Sequence, residues 1–169
     1  MSNCRKRDQT NIERELHEWF SGANRVVVIG IGNSLRRDDF VGVKIVKDLQ
    51  DSVSSSVYLI DCETVPESFI EPIIRFNPSH MLIIDAALLN LDPGSSRLLD
   101  FKQLDGRQTV STHALPLRIF CDYLTRATKA KIALLLVQPK DTSFGEGLTQ
   151  ELQKTADRLT KLLSKLLSV

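Results

Sequence analysis

The sequence predicts a three-layer α/β/α sandwich on a mostly parallel sheet of about five strands, one of them free to run antiparallel. Two observations carry this. Apolar runs at residues 25–31, 57–60, 81–84 and 132–137 lack polar alternation, as strands covered on both faces do. Between them lie segments whose apolar residues recur at helical spacing, so strand and helix alternate along the chain.

Taken in order, residues 11–20 place Ile12, Leu16, Trp19 and Phe20 on one helical face, and Gly22-Ala23-Asn24 ends that helix. The first strand, 25–31, is rich in β-branched residues and runs into a glycine turn. Residues 41–49 form a helix with Val43, Ile45, Val46 and Leu49 inward. The second strand, 57–60, is ended by Asp61-Cys62-Glu63. The helix at 67–75 contains Pro72, which should kink or shorten it. A third strand, 81–84, is stopped by Asp85. Asp92-Pro93-Gly94 makes a turn, and 97–101 a short strand. Ser111-Thr112 caps a helix at 115–125. The last core strand, 132–137, leads into a loop over 138–147 carrying Gly145 and Gly147, and an amphipathic helix over 149–167 closes the chain. With no repeat, low-complexity segment or linker, the chain divides into a helical extension, 1–24, and one α/β domain, 25–169.

Composition narrows the function classes. Twenty-two basic residues balance 21 acidic ones, for a net charge of +1, which gives no electrostatic reason to expect nucleic acid or an anionic membrane as partner. The longest apolar runs fall far short of the ~20 residues a bilayer span needs. Arg5, Lys6 and Arg7 are followed by no apolar segment, so no secretory signal is expected. Cys4, Cys62 and Cys121 are three in number and widely spaced, which suits neither a disulfide framework nor a metal knuckle and favours the reducing cytoplasm.

In open parallel sheets, ligands bind beyond the carboxyl ends of the strands. The residues there are 30–39, 61–63, Asp85 and 138–141, with His113 opening a later helix. Gly30-Ile31-Gly32 invites a dinucleotide reading, but the position of the third glycine is Leu35, and no Gly-Lys-Ser/Thr follows for a phosphate loop. Asp38 and Asp39 moreover stand where a phosphate would sit. Capping alone needs one acid rather than two. Asp39, Asp85 and His113 are separated by 46 and 28 residues, so only the fold can unite them. United, two carboxylates and one imidazole suit nickel or zinc with positions left open. At a helix N-terminus His113 would stay neutral and able to coordinate.

Rival readings are weaker. Cys62 with His113 would make a cysteine protease, yet nothing around Cys62 resembles a nucleophile motif. Gly-x-Ser-x-Gly is absent from the sequence. Asp38, Asp39, Asp85 and Lys140 mimic the acid set and lysine of a signalling receiver domain. In a receiver, however, the acid pair closes the first strand directly, whereas residues 32–37 intervene here.

The run Gly30-Ile31-Gly32-Asn33-Ser34-Leu35-Arg36-Arg37-Asp38-Asp39-Phe40-Val41-Gly42 closely resembles the G-x-G-N-x-L-x-x-D-[DE]-x-x-G signature of the hydrogenase maturation endopeptidases. Ile83-Ile84-Asp85-Ala86 is similar to the family's strand-end aspartate, Ser111-Thr112-His113 to its histidine segment, and Gln138-Pro139 fits as well. The wording is most similar to the hydrogenase 3 (formate-hydrogenlyase) type. The resemblance implies an endopeptidase that trims the C-terminal extension from the precursor of a NiFe-hydrogenase large subunit. Its metal ligands fall on Asp39, Asp85 and His113, with Gly30, Gly32, Asn33, Asp38 and Gly42 shaping the loop. The nickel is implied to arrive with the precursor, with no tightly bound metal of the enzyme's own. Catalysis is left open between nickel acting on the carbonyl or on water, and Asp38 or Asp39 acting as general base. Two departures stand out: Phe40 where glycine is frequent, and the basic helical extension before Arg25.

Overall fold

The β-branched run Val26-Val27-Val28-Ile29 has no exposed member, because β1 (Val26–Ile31) lies inside a sheet with a helical layer on each side. The computed structural model describes residues 2–103 and 114–168. The other strands are β2 (Val57–Glu63), β3 (His80–Ala86), β4 (Ser96–Asp100) and β5 (Lys131–Val137), in the spatial order β2-β1-β3-β5-β4. Every pairing is parallel except that of β4 with β5. The expected mixed sheet of five strands is therefore observed, and the antiparallel member is the short edge strand.

Alternation along each strand divides the core. Val27, Ile29, Met81, Ile83, Ile132 and Leu134 face a layer made by α3 (Ile70–Phe76) and α4 (Ala114–Thr128), which contribute Ile73, Leu117, Phe120, Cys121 and Leu124. Val26, Val28, Leu82, Ile84, Ala133 and Leu135 face the opposite layer. That layer comprises α1 (Ser2–Trp19), α2 (Val41–Asp48) and α5 (Gln150–Leu167). From α1, Ile12 and Leu16 enter this core with exposures of 3% and 0%. The N-terminal helix thus covers the sheet. No helix among the described residues is long and apolar enough to cross a membrane.

Several element boundaries differ from expectation. β2 continues through Asp61-Cys62-Glu63 because its ladder with β1 does, with a register shift at Gly30/Ile31. Asp85 does not stop β3: it pairs with Leu136 of β5, so backbone pairing outweighs the polar side chain. The helix expected at 67–75 is split into a 3₁₀ turn, Pro66–Phe69, and α3. Pro72 is the third residue of α3, where an N–H has no intrahelical partner, so it breaks no helical bond. α1 and α4 are longer than their apolar stripes suggested. The expected Ser111-Thr112 cap lies outside the described residues.

The chain leaves β1 for β2 on one side and returns to β3 on the other, so the winding direction reverses between β1 and β3. Their carboxyl ends flank the crevice in which open α/β sheets bind ligands. Glycines bring the chain unusually close here. A Cβ on Gly30 would lie 2.5 Å from the Gly42 carbonyl oxygen, and one on Gly42 would lie 2.1 Å from that of Ile84. One on Gly32, at φ +152°, would lie 2.0 Å from the carbonyl oxygen of Asp39. The 3₁₀ turn Arg37–Phe40 and the start of α2 are thereby laid directly on the ends of β1 and β3.

Replacement Gly42→Ala should cost about 3 kcal/mol or more, since the clashing atoms are backbone and cannot swing aside. Gly22→Ala, where φ is +78° and nothing stands within 4 Å of the added carbon, should cost only about 1 kcal/mol. Urea unfolding midpoints of the two variants measure the contrast.

Candidate active site

Asp39 sits in the 3₁₀ turn Arg37–Phe40 with 8% of its surface exposed. Its Oδ2 accepts the Asn33 N–H at 3.0 Å, and its own N–H donates to the Arg36 carbonyl at 3.0 Å. Asn33 folds the intervening chain: its Oδ1 accepts the Leu35 N–H at 2.9 Å and its carbonyl accepts the Arg36 N–H at 3.0 Å. Short asparagine side chains commonly stabilise turns in this way. Asn33 therefore both shapes the loop and orients the carboxylate.

Asp38 is buried completely and faces away into the protein. Its Oδ2 accepts the backbone N–H groups of Lys140 (2.9 Å) and Asp141 (3.0 Å) and the Thr149 hydroxyl (2.9 Å). Its Oδ1 accepts the Thr149 N–H at 2.7 Å. A buried carboxylate left unpaired is very costly, so these four donors make one side chain the fastening for the whole loop between β5 and α5. That loop in turn supports the acid turn. The Gly145 N–H donates to Leu35, the Arg37 N–H donates to Gly145, and Arg36 Nε donates to the Thr142 carbonyl at 3.1 Å. Arg37 adopts φ 44° at this junction and places its Nε 3.4 Å from an Asp141 oxygen. Thr149 and the pairing through Gly145 were missed in the sequence. The only local signals were a threonine at the start of a helix and a glycine in a loop.

Asp85 lies near the end of β3, fully buried, with its Oδ1 accepting the Ala86 N–H at 2.8 Å. The following loop is fixed by Gln138, whose Oε1 accepts the Leu89 N–H at 2.7 Å and whose carbonyl accepts the Gly94 N–H at 2.8 Å. Gln138, expected at a strand end, thus holds the chain just beyond Asp85. The turn bearing Asp39 packs against β3, so the two predicted carboxylates come from neighbouring parts of one crevice. The third predicted ligand, His113, lies outside the described residues. Among those that are described, no three His, Cys, Asp or Glu side chains are grouped closely enough to hold a metal. Phe40 is half-buried on the rim, with the Lys47 ammonium 5.4 Å from its ring centre; that ammonium also lies 3.3 Å from an Asp61 oxygen.

The rival chemistries fare poorly. Cys62 is buried and its Sγ donates to the Gly30 carbonyl at 3.3 Å. Burial first, then the charges of Asp85 and Asp61, push its thiol up to about 12, so no nucleophilic thiolate forms near neutrality. Lys140 is ion-paired with Glu151 on α5 at 2.7 Å, and β5 rather than β4 borders β3. A receiver domain has the order 2-1-3-4-5 instead.

A three-layer α/β fold that brings Asp39 and Asp85 to the reversal of its parallel sheet, with Cys62 buried and its thiol pushed up, leaves carboxylates as the candidate reactive groups of the crevice. The family model described as hydrogenase maturation protease matches residues 43–166. The chain is similar to the crystal structure of the NiFe hydrogenase maturation protease HycI from Thermococcus kodakarensis. The identity is 34%, with 89% of this chain and 97% of that one covered, at a TM-score of 0.84. It is also 26% identical to the hydrogenase 3 maturation protease of Escherichia coli over 137 residues, 81% of this chain and 87% of that one. The hydrogenase maturating endopeptidase HybD of E. coli matches at 25% identity, with 82% and 89% covered and a TM-score of 0.71. The chain belongs to the hydrogenase maturation protease family and is an endopeptidase. The family match begins one residue after Gly42, so Asp85 and His113 fall within it, and the glycine turn and Asp39 precede it.

Two measurements check the site's construction. Cys62 and Cys121, whose thiol burial also pushes up to about 12, should resist iodoacetamide at pH 8 in the native protein and react once it is unfolded in guanidinium; peptide mass mapping reads this. Asp38→Asn, which turns an amide N–H against donor groups, should cost about 3 kcal/mol in urea unfolding. Asp39→Asn should cost less, because one carbonyl oxygen still receives the Asn33 N–H.

Proposed function

We propose that this endopeptidase removes the C-terminal extension of a NiFe-hydrogenase large-subunit precursor after nickel insertion, recognising the inserted nickel through Asp39, Asp85 and His113. The observation that carries the reading is the delivery of Asp39 by a glycine-packed turn against the strand that bears Asp85. The relatives, themselves hydrogenase maturation proteases, support the class of substrate. The donor set fits the ion: two carboxylates and an imidazole suit a divalent transition metal and leave positions for substrate. Nickel arrives as part of the precursor and would supply Lewis acidity at the scissile carbonyl; no resident metal is required.

The chain's own residues divide the remaining work. Hydrolysis of an amide needs a water held near the carbonyl and a base for its proton. Asp39 is suited to both, being on the rim of the crevice and oriented by the Asn33 N–H. Asp38, with its carboxylate engaged by four donors, is suited to positioning and not to proton transfer. A cytoplasmic site of action accords with the free, buried thiols of Cys62 and Cys121.

Incubating the protein with nickel-loaded precursor should shorten that precursor at its C-terminus, as read by mass spectrometry. The nickel-free precursor should stay intact. Asp39→Asn, Asp85→Asn and His113→Ala should each lower the cleavage rate at least ~100-fold. Undiminished cleavage by all three variants would sink the proposed site.

A further inference from the structure

Six large apolar side chains are exposed among the described residues: Leu35, Val65, Leu88, Ile119, Tyr123 and Phe144. Ile119 and Tyr123 lie on α4. The other four sit one each in the loops that follow the parallel strands β1, β2, β3 and β5. Single exposed apolar residues are ordinary. Four at the same end of one sheet, flanking Asp39 and Asp85, are a collar. Phe144 is the extreme case, with 81% of its surface exposed.

The backbone beneath the collar is fixed. The Leu35 N–H donates to Asn33 Oδ1 and the Leu35 carbonyl accepts the Gly145 N–H, which ties it to the residue after Phe144. The Val65 N–H donates to the Cys62 carbonyl at 3.0 Å. Leu88 is bracketed by Ala87, whose N–H donates to Val137, and by Leu89, held by Gln138. Exposed apolar groups on preordered backbone lose little entropy when a ligand covers them.

We infer that Val65, Leu35, Leu88 and Phe144 receive an extended apolar stretch of the precursor polypeptide, on both sides of the scissile bond. This rests on the proposed function. The occupant follows from the chemistry, since an endopeptidase must thread a polypeptide past its acids, and the collar is continuous with those acids. Gly145 pairs with Leu35 and Arg36, so Phe144 stands beside Leu35 on the loop that carries Asp39, while Leu88 follows Asp85 in the chain and Val65 follows the neighbouring strand β2. Apolar residues of the precursor would then anchor the chain while its amide lies over Asp39 and Asp85.

The test compares steady-state cleavage of nickel-loaded precursor by the wild type, Phe144→Ser, Val65→Ser and the double variant. Burying one such side chain corresponds to about a tenfold change in affinity. KM should therefore rise about tenfold for each single variant and further for the double, with kcat within about twofold. Precursor carrying serine in place of the apolar residues flanking the scissile bond should show the same KM rise with the wild-type enzyme, independently of how the variants fold. Ile119→Ser and Tyr123→Ser should leave both constants unchanged. An unaltered KM in the double variant, with the wild type active, overturns the collar alone. So does sedimentation showing that the collar holds a second copy of this chain, with a dimer lost in Phe144→Ser. Failure of the wild type to cleave any loaded precursor removes the proposed function, and the collar with it.

Discussion

Backbone laid against backbone is the constraint on which the rest of this structure depends. Gly30, Gly32 and Gly42 each occupy a position where even a methyl group would meet a carbonyl oxygen at 2.0–2.5 Å. Their work is steric. They allow the turn carrying Asp39 to lie on the ends of β1 and β3, where a bulkier sequence would hold it away. The same closeness leaves no room for a phosphate between turn and strand. A Gly-x-Gly after a first strand therefore has here a different physical purpose from the one it serves in a nucleotide fold.

The two adjacent aspartates illustrate how one residue of displacement divides roles. Asp38 turns inward, where its burial is offset by four hydrogen-bond donors from a segment over 100 residues later in the chain. Asp39 turns to the crevice and retains slight exposure. The inner acid thereby locks the position of the outer one, since the loop it fastens also pairs with the turn through Gly145 and Leu35. Stability and function meet in this arrangement. Weakening the fastening would loosen the loop that carries Phe144 as well as the turn that carries Asp39.

The sequence made the layers legible because their cause is local. Runs such as Val26–Ile31 and Lys131–Val137 announce strands buried on both faces, and the apolar stripe of Gln150–Leu167 announces a helix with one covered side. Boundaries were less legible where pairing overrode residue type, as at Asp61-Cys62-Glu63 and Asp85, which remain in their strands because neighbouring strands continue beside them. Pro72 signalled the shortening that is observed, since the α-helix begins only at Ile70 and leaves the proline in its first turn.

By itself, then, the sequence determined the three-layer class, the identity of Asp39 and Asp85 as crevice residues, and the family through the glycine-acid run. Each follows from periodicity, from strand ends or from a contiguous motif. Only the tertiary structure decided the different orientations of Asp38 and Asp39, the antiparallel placement of β4 at the edge, the packing of the N-terminal helix onto the sheet, and the gathering of Leu35, Val65, Leu88 and Phe144 around the acids. These depend on contacts between residues far apart in the chain, and no local pattern encodes which distant backbone donor or strand neighbour a residue will meet.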